Sequence, residues 1–170
     1  MVDESARFMH NIVRTVLENG DDHMTNATTN ELWGKLFGAP QVGTYLDEAG
    51  DNLLPEFSEY IKALTLAKGE REEAVIRRGG IESSYGHRLF KGARNPSRDT
   101  VLQLAFGLEL DSDGTQQLLK VARATALHPR VKRDAVIAFC LYNHKSFMET
   151  QELLYDNGLP TIGEKRHDKQ

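Results

Sequence analysis

Residues 71–98 read REEAVIRRGGIESSYGHRLFKGARNPSR. Punctuation organises this stretch. Arg71 to Arg78 has helical character and stops at Gly79-Gly80, and Glu82 to Lys91 is a second helix that stops at Gly92. A Gly-Gly-Ile turn between two short helices is the layout that lets the second helix stand out from the body of a domain. Charge marks the same stretch. It holds seven Lys and Arg against three Glu, in a chain whose formal charge is −4. The residues before it are acidic and those after it nearly neutral, so Arg71, Arg77, Arg78, Arg88, Lys91, Arg94 and Arg98 form a single basic island. With salt screening beyond about 8–10 Å, such an island can meet a polyanion even on an acidic protein.

Working outward, helical spacing continues and strand alternation is missing. Pro55 to Lys68, with Phe57, Ile61, Leu64 and Leu66 on its apolar side, precedes the pair. Ser97 is placed to cap Arg98 to Leu108, and Asp111-Ser112-Asp113 to cap a helix through Thr125. Together these make five helices. On the N-terminal side, Thr29 or Asn30 can cap a helix through Phe37, and Pro40 to Ala49 forms another. On the C-terminal side, Arg130 to Asn143 turns Val131, Ala135, Ile137, Ala138 and Leu141 inward. Ser146 with Glu149 three residues on reads as a capping box for a helix ending near Asn157-Gly158. A further amphipathic helix is expected at Glu4 to Glu18, followed by a polar linker from Asp21 to Thr28. No internal repeat shows at a fixed period. The reading is all-α: a five-helix domain at 54–125 with extra helices at both ends. An N-terminal appendage occupies 1–23, a short helical segment 24–53, a C-terminal helical extension 126–162 and a disordered tail 163–170.

Composition excludes several function classes. A −4 chain does not bind nucleic acid by bulk charge. One cysteine, Cys140, excludes an intrachain disulfide and suits a reducing cytoplasm. It lies on an apolar helical stripe and reads as a small core hydrophobe. No apolar run approaches the ~20 residues of a membrane span. The six histidines show no i, i+4 pair, so no zinc or other metal site is expected. Arg78-Gly79-Gly80-Ile81 lacks the spacing and the preceding strand of a phosphate loop, and no carboxylates form a catalytic pair. Neither an enzyme nor a cofactor is expected.

The run from about Leu54 to Ala124 resembles the lambda-repressor-like helix-turn-helix domain, the Cro/cI or XRE type. The resemblance is carried by Ser84-Tyr85-Gly86-His87-Arg88-Leu89-Phe90-Lys91-Gly92-Ala93-Arg94-Asn95-Pro96-Ser97 and by Val101-Leu102-Gln103-Leu104-Ala105-Phe106-Gly107-Leu108. It implies a bacterial regulator binding double-stranded DNA, with Glu82 to Lys91 as the recognition helix. The base-reading positions then fall on Ser83, Ser84 and Arg88, with His87 beside them. Arginine can take guanine O6 and N7 together, and serine suits several base edges. Lys91, Arg94, Asn95 and Arg98 would hold phosphates, which fix register without reading sequence. Two-fold DNA sites require a homodimer.

Three positions depart from the family pattern. Ile76 stands where a small residue is usual and Gly86 where an aliphatic is usual, which suggests a size swap. Phe90 replaces an acidic residue and is expected to be buried. Glu72, Glu73 and Glu82 face where phosphates would lie. They support a competing reading, a protein-interaction adaptor that keeps the helix-turn-helix fold. Tyr85 and Leu89 are expected in the core, and Arg77 and Arg78 over the helix pair.

Overall fold

The structure, a computed structural model, describes residues 27–163. The expected helix at Glu4 to Glu18, most of the linker after it and the tail beyond Gly163 lie outside the described residues. Within them the chain forms nine α-helices and no strand: α1 (Thr29–Gly38), α2 (Val42–Ala49), α3 (Phe57–Ala67), α4 (Glu72–Arg78), α5 (Ser83–Phe90), α6 (Arg98–Gly107), α7 (Ser112–Val121), α8 (Lys132–Tyr142) and α9 (Phe147–Asp156). A single 3₁₀ turn, Gly50–Asn52, follows α2.

Local chemistry sets these boundaries. Ser97 accepts from the Thr100 N–H and Asp111 from the Gly114 N–H, each satisfying an orphan donor at a helix start. Ser146 and Glu149 form the expected capping box. Thr28 forms another with Glu31, so the cap of α1 lies one residue before the expected Thr29. Helices α3 to α9 are each followed by a residue of left-handed φ. After α7, Arg123 takes a φ of 55°, and the Ala124 N–H donates to the Leu119 carbonyl. That left-handed ending closes α7 at Val121, short of the expected Thr125.

Helices α3 to α9 enclose one core, in which Ile61, Val75, Leu89, Phe90, Leu102 and Leu118 are fully buried. Tyr85 is half-buried against it. Cys140 is buried, and burial raises its thiol pKa. Two expected inward residues are exposed instead: Leu66 near the end of α3 is 67 % exposed and Val131 is 48 % exposed. Leu66 shares the solvent face of α3 with Glu59 and Lys62, about 200° around the helix from buried Leu64, and Val131 caps the start of α8.

Ile76 and Gly86 exchange volume as their types suggest. A Cβ at Gly86 would lie 2.7–2.8 Å from three side-chain carbons of Ile76, which is 2 % exposed. Gly86→Ala is therefore expected to destabilise by about 1–2 kcal/mol: overpacking outweighs the ~1 kcal/mol of helix propensity that alanine returns. Ile76→Ala combined with Gly86→Ala should show positive coupling in a double-mutant cycle of urea midpoints. Simple additivity would place Ile76 elsewhere.

The expectation of no internal repeat is corrected by the bonding pattern. Arg98-Asp99 and Arg133-Asp134 head α6 and α8, and the same spacing relates a series of further features. Thr115 and Thr150 each bond the carbonyl four residues back, of Asp111 and Ser146. Gln116 makes a two-way bond with the Leu127 backbone, and Gln151 makes one with that of Ile162. Glu109 and His144 take left-handed φ values of 53° and 52°. The two units embrace reciprocally: Arg98 pairs with Asp134, and Arg133 with Asp99. Contact of i with j matched by j with i is the signature of a two-fold relation. Few side chains are identical between the units, so periodicity in the sequence is faint while the bonded positions recur.

Candidate nucleic-acid interface

The turn between α4 and α5 is built on close approach. The Gly79 N–H donates to the Val75 carbonyl and the Ile81 N–H to the Ile76 carbonyl. Gly80 takes a φ of 65°, where a side chain is strained. A Cβ there would also lie 2.6 Å from the Phe147 ring. Phe147 opens α9, so the second repeat unit braces the turn that carries α5. Its ring also meets Phe106 at a centroid distance of 5.9 Å. Beside this contact lies a cleft of about 380 Å³, lined by Arg78, Phe106, Leu141, His144 and Lys145 among others. No sequence signal pointed to Phe147, because its partners lie far away in the chain.

Helix α5 buries Gly86, Leu89 and Phe90 and turns its polar residues outward. Phe90 is thus buried as expected. Ser83, Ser84 and Arg88 are exposed and His87 is half-buried. Ser84, Arg88 and the cap residue Lys91 follow at i, i+4 and i+7, which places them on one face. Arg94 and Asn95 are exposed in the loop that follows. The side chains of Ser83, Ser84, Arg88, Lys91, Arg94 and Asn95 make no hydrogen bond or ion pair among the described residues.

Two other members of the basic island, Arg78 and Arg98, are committed, while Arg71 and Arg77 are exposed. Arg78 bridges Glu70 at 2.7 Å and Glu109 at 2.8 Å. Arg98 is half-buried and taken up between the paired units. Its Nε donates to the Thr125 carbonyl at 2.8 Å, and Nη1 to Asp134 at 3.1 Å. Nη2 donates to Asp134 at 2.9 Å and to the Ala126 carbonyl at 3.2 Å. That leaves it no free fork for a phosphate, in contrast to the expectation from the motif.

The acidic residues divide as well. Glu82 caps α5, accepting from the N–H groups of Ser84 at 2.8 Å and Tyr85 at 2.7 Å. Those bonds hold its carboxyl below the usual carboxylate range, with the Arg88 charge adding to them. The amides at the start of α5 are therefore occupied by the protein's own carboxylate. Glu72 lies 3.5 Å from His87 Nδ1, and Glu73 is exposed. Among the described residues no group of three or more His, Cys, Asp or Glu is placed to hold a metal. No helix there is long and apolar enough to cross a membrane.

A scan against family models found no match, and searches of curated proteins and of solved structures found none either.

Proposed function

We propose that the chain is a cytoplasmic, sequence-specific DNA-binding transcriptional regulator of the lambda-repressor-like type. Helices α3 to α7 form its five-helix domain, and α5 enters the major groove of double-stranded DNA. One observation carries this reading. The side chains of Ser83, Ser84, Arg88, Lys91, Arg94 and Asn95 are exposed and unbonded among the described residues, while Arg78 and Arg98, off that face, are held in ion pairs. Arg88 then reads a base, with Ser83, Ser84 and His87 beside it, and Lys91, Arg94 and Asn95 meet phosphates. The protein acts as a homodimer, since one such unit covers only a half-site.

Selection from a random-sequence duplex pool at two salt concentrations tests this directly. The expected result is an enriched palindrome. On that site Arg88→Ala should cost about 1–3 kcal/mol and relax one base position, while Lys91→Ala should weaken all sequences and lower the salt slope by about 1. Binding of every sequence unchanged by Arg88→Ala would remove α5 from the groove.

A second reading, a protein-interaction adaptor on the same fold, is favoured by the Glu82 cap. With the Ser84 and Tyr85 amides already bonded to the Glu82 carboxylate, the start of α5 has little left to offer a phosphate, and Glu72 and Glu73 add negative charge nearby. Folded protein that binds no duplex at low salt would decide for this reading.

A further inference from the structure

Helices α1 and α2 are held by too little. Helix α1 buries none of its residues, and α2 buries only Ala49. Among the described residues they pack chiefly on each other, with Leu32, Leu36 and Tyr45 half-buried. On the outer side, Trp33 is 52 % and Phe37 79 % exposed on α1, and Val42 is 65 % and Leu46 50 % exposed on α2. Each pair is spaced i, i+4, so each helix carries one apolar stripe. The Trp33 and Phe37 rings stack at 5.3 Å, presenting a flat aromatic surface. Helices of 10 and 8 residues are too short to persist in water on propensity alone. Such a hairpin needs a cover over this stripe.

We propose that the cover is the same hairpin of a second copy, so that α1 and α2 of two chains form a four-helix bundle that is the homodimer interface. Area supports this occupant. At roughly 150–250 Å² for a buried aromatic, the four exposed side chains offer on the order of 500 Å² per chain, or about 1,000 Å² over two copies. That total reaches the threshold of a specific interface. Two-fold pairing also sets stripe against identical stripe, so each apolar residue meets another. Charge argues against a polyanion or an anionic lipid surface as cover, since Glu31, Asp47 and Glu48 outnumber Lys35. The inference deepens the dimeric reading above, and its test involves no DNA, so the two can fail separately.

Trp33 is the chain's single tryptophan and reports on the stripe directly. Sedimentation equilibrium and tryptophan emission are to be recorded on the same full-length samples across about 1–100 µM, a range in which weak interfaces dissociate. The expected result is a rise from 19.1 kDa to twice that mass, with a blue shift of Trp33 emission over the same concentrations. Phe37→Glu and Leu46→Glu should each hold the chain at monomer mass with red-shifted emission. Neither residue is buried in the α3–α9 core, so their thermal unfolding by circular dichroism should match the parent measured as a monomer. Three outcomes would overturn the proposal: monomer mass at every concentration with red-shifted emission; blue-shifted emission at monomer mass, which puts the cover within one chain; or a dimer that survives both substitutions.

Discussion

Arg98→Ala is expected to lower the stability of the protein by about 3–5 kcal/mol, because removing one partner strands a buried charge. Asp134 is 5 % exposed, and its two oxygens receive Nη1 and Nη2 of Arg98. Among the described residues the His128 N–H at 3.1 Å is its one other donor, too little to solvate a carboxylate in that setting. The Thr125 and Ala126 carbonyls lose the same guanidinium but belong to exposed residues, so water replaces it there. Arg133→Ala removes the matching pair, yet the Asp99 side chain is 26 % exposed and keeps the Gly163 N–H. Its loss should be smaller, about 1–2 kcal/mol. Burial raises the Asp99 pKa, but the Arg133 bonds, the Gly163 N–H and the nearby arginine charges outweigh that and hold it below its ordinary value. The contribution of that pair is therefore full above about pH 4 and is lost on acidification. Urea unfolding of the two variants at neutral pH separates them. A loss below about 1 kcal/mol for Arg98→Ala would mean that water solvates Asp134 in the variant. If Arg98 instead met DNA, its replacement would lower the salt slope of binding by about 1.

Arg98 also shows where sequence reading stops. Its place one residue after the Ser97 cap is a local fact, and local facts were readable. The caps at Ser97, Asp111 and Ser146 and the glycine stops follow from residues within a turn, and the exchange of volume between Ile76 and Gly86 joins two helices linked by one short turn. Whether Arg98 faces a phosphate or Asp134 depends on a partner 36 positions away, which local pattern does not specify. The recurrence of Arg-Asp, of Thr-Gln and of Leu-Leu (Leu118-Leu119 and Leu153-Leu154) is the available signal, but it is spread thinly between dissimilar side chains. Glu82 was visible as an acidic residue near the groove face. That it caps α5 depends on a φ of −61° and ψ of 132°, a backbone choice that charge patterning does not reveal. On the apolar side, residue type placed Leu66 inward, whereas a rotation of about 200° from Leu64 puts it on the solvent face of α3.

The second large effect is expected at Gly107. A Cβ there would lie 2.2 Å from the Val75 carbonyl oxygen and 3.0 Å from its carbon. One turn away, a Cβ at Gly79 would lie 2.4 Å from the Gln103 carbonyl oxygen. Helices α4 and α6 thus touch backbone to backbone at two points, and neither glycine has a positive φ. Space, not backbone freedom, demands glycine at these positions. Because the obstacle at Gly107 is main chain within two helices, it cannot rotate aside as a side chain does. Gly107→Ala should cost about 3 kcal/mol even after the helix-propensity gain of up to ~1 kcal/mol. Gly34→Ala in α1 is the control: nothing lies within 4 Å of its Cβ, so only the propensity gain remains. The displaced helix is α4, and α4 carries the turn and α5 with it. Duplex binding by Gly107→Ala should therefore fall further than its folded fraction accounts for, while Arg98→Ala, once folded, should bind as the parent does. Chemical denaturation and binding on the same samples distinguish the two. Equal losses in both quantities would mean that α4 and α6 separate only when the whole core unfolds, and that the position of α5 is not tuned at this contact.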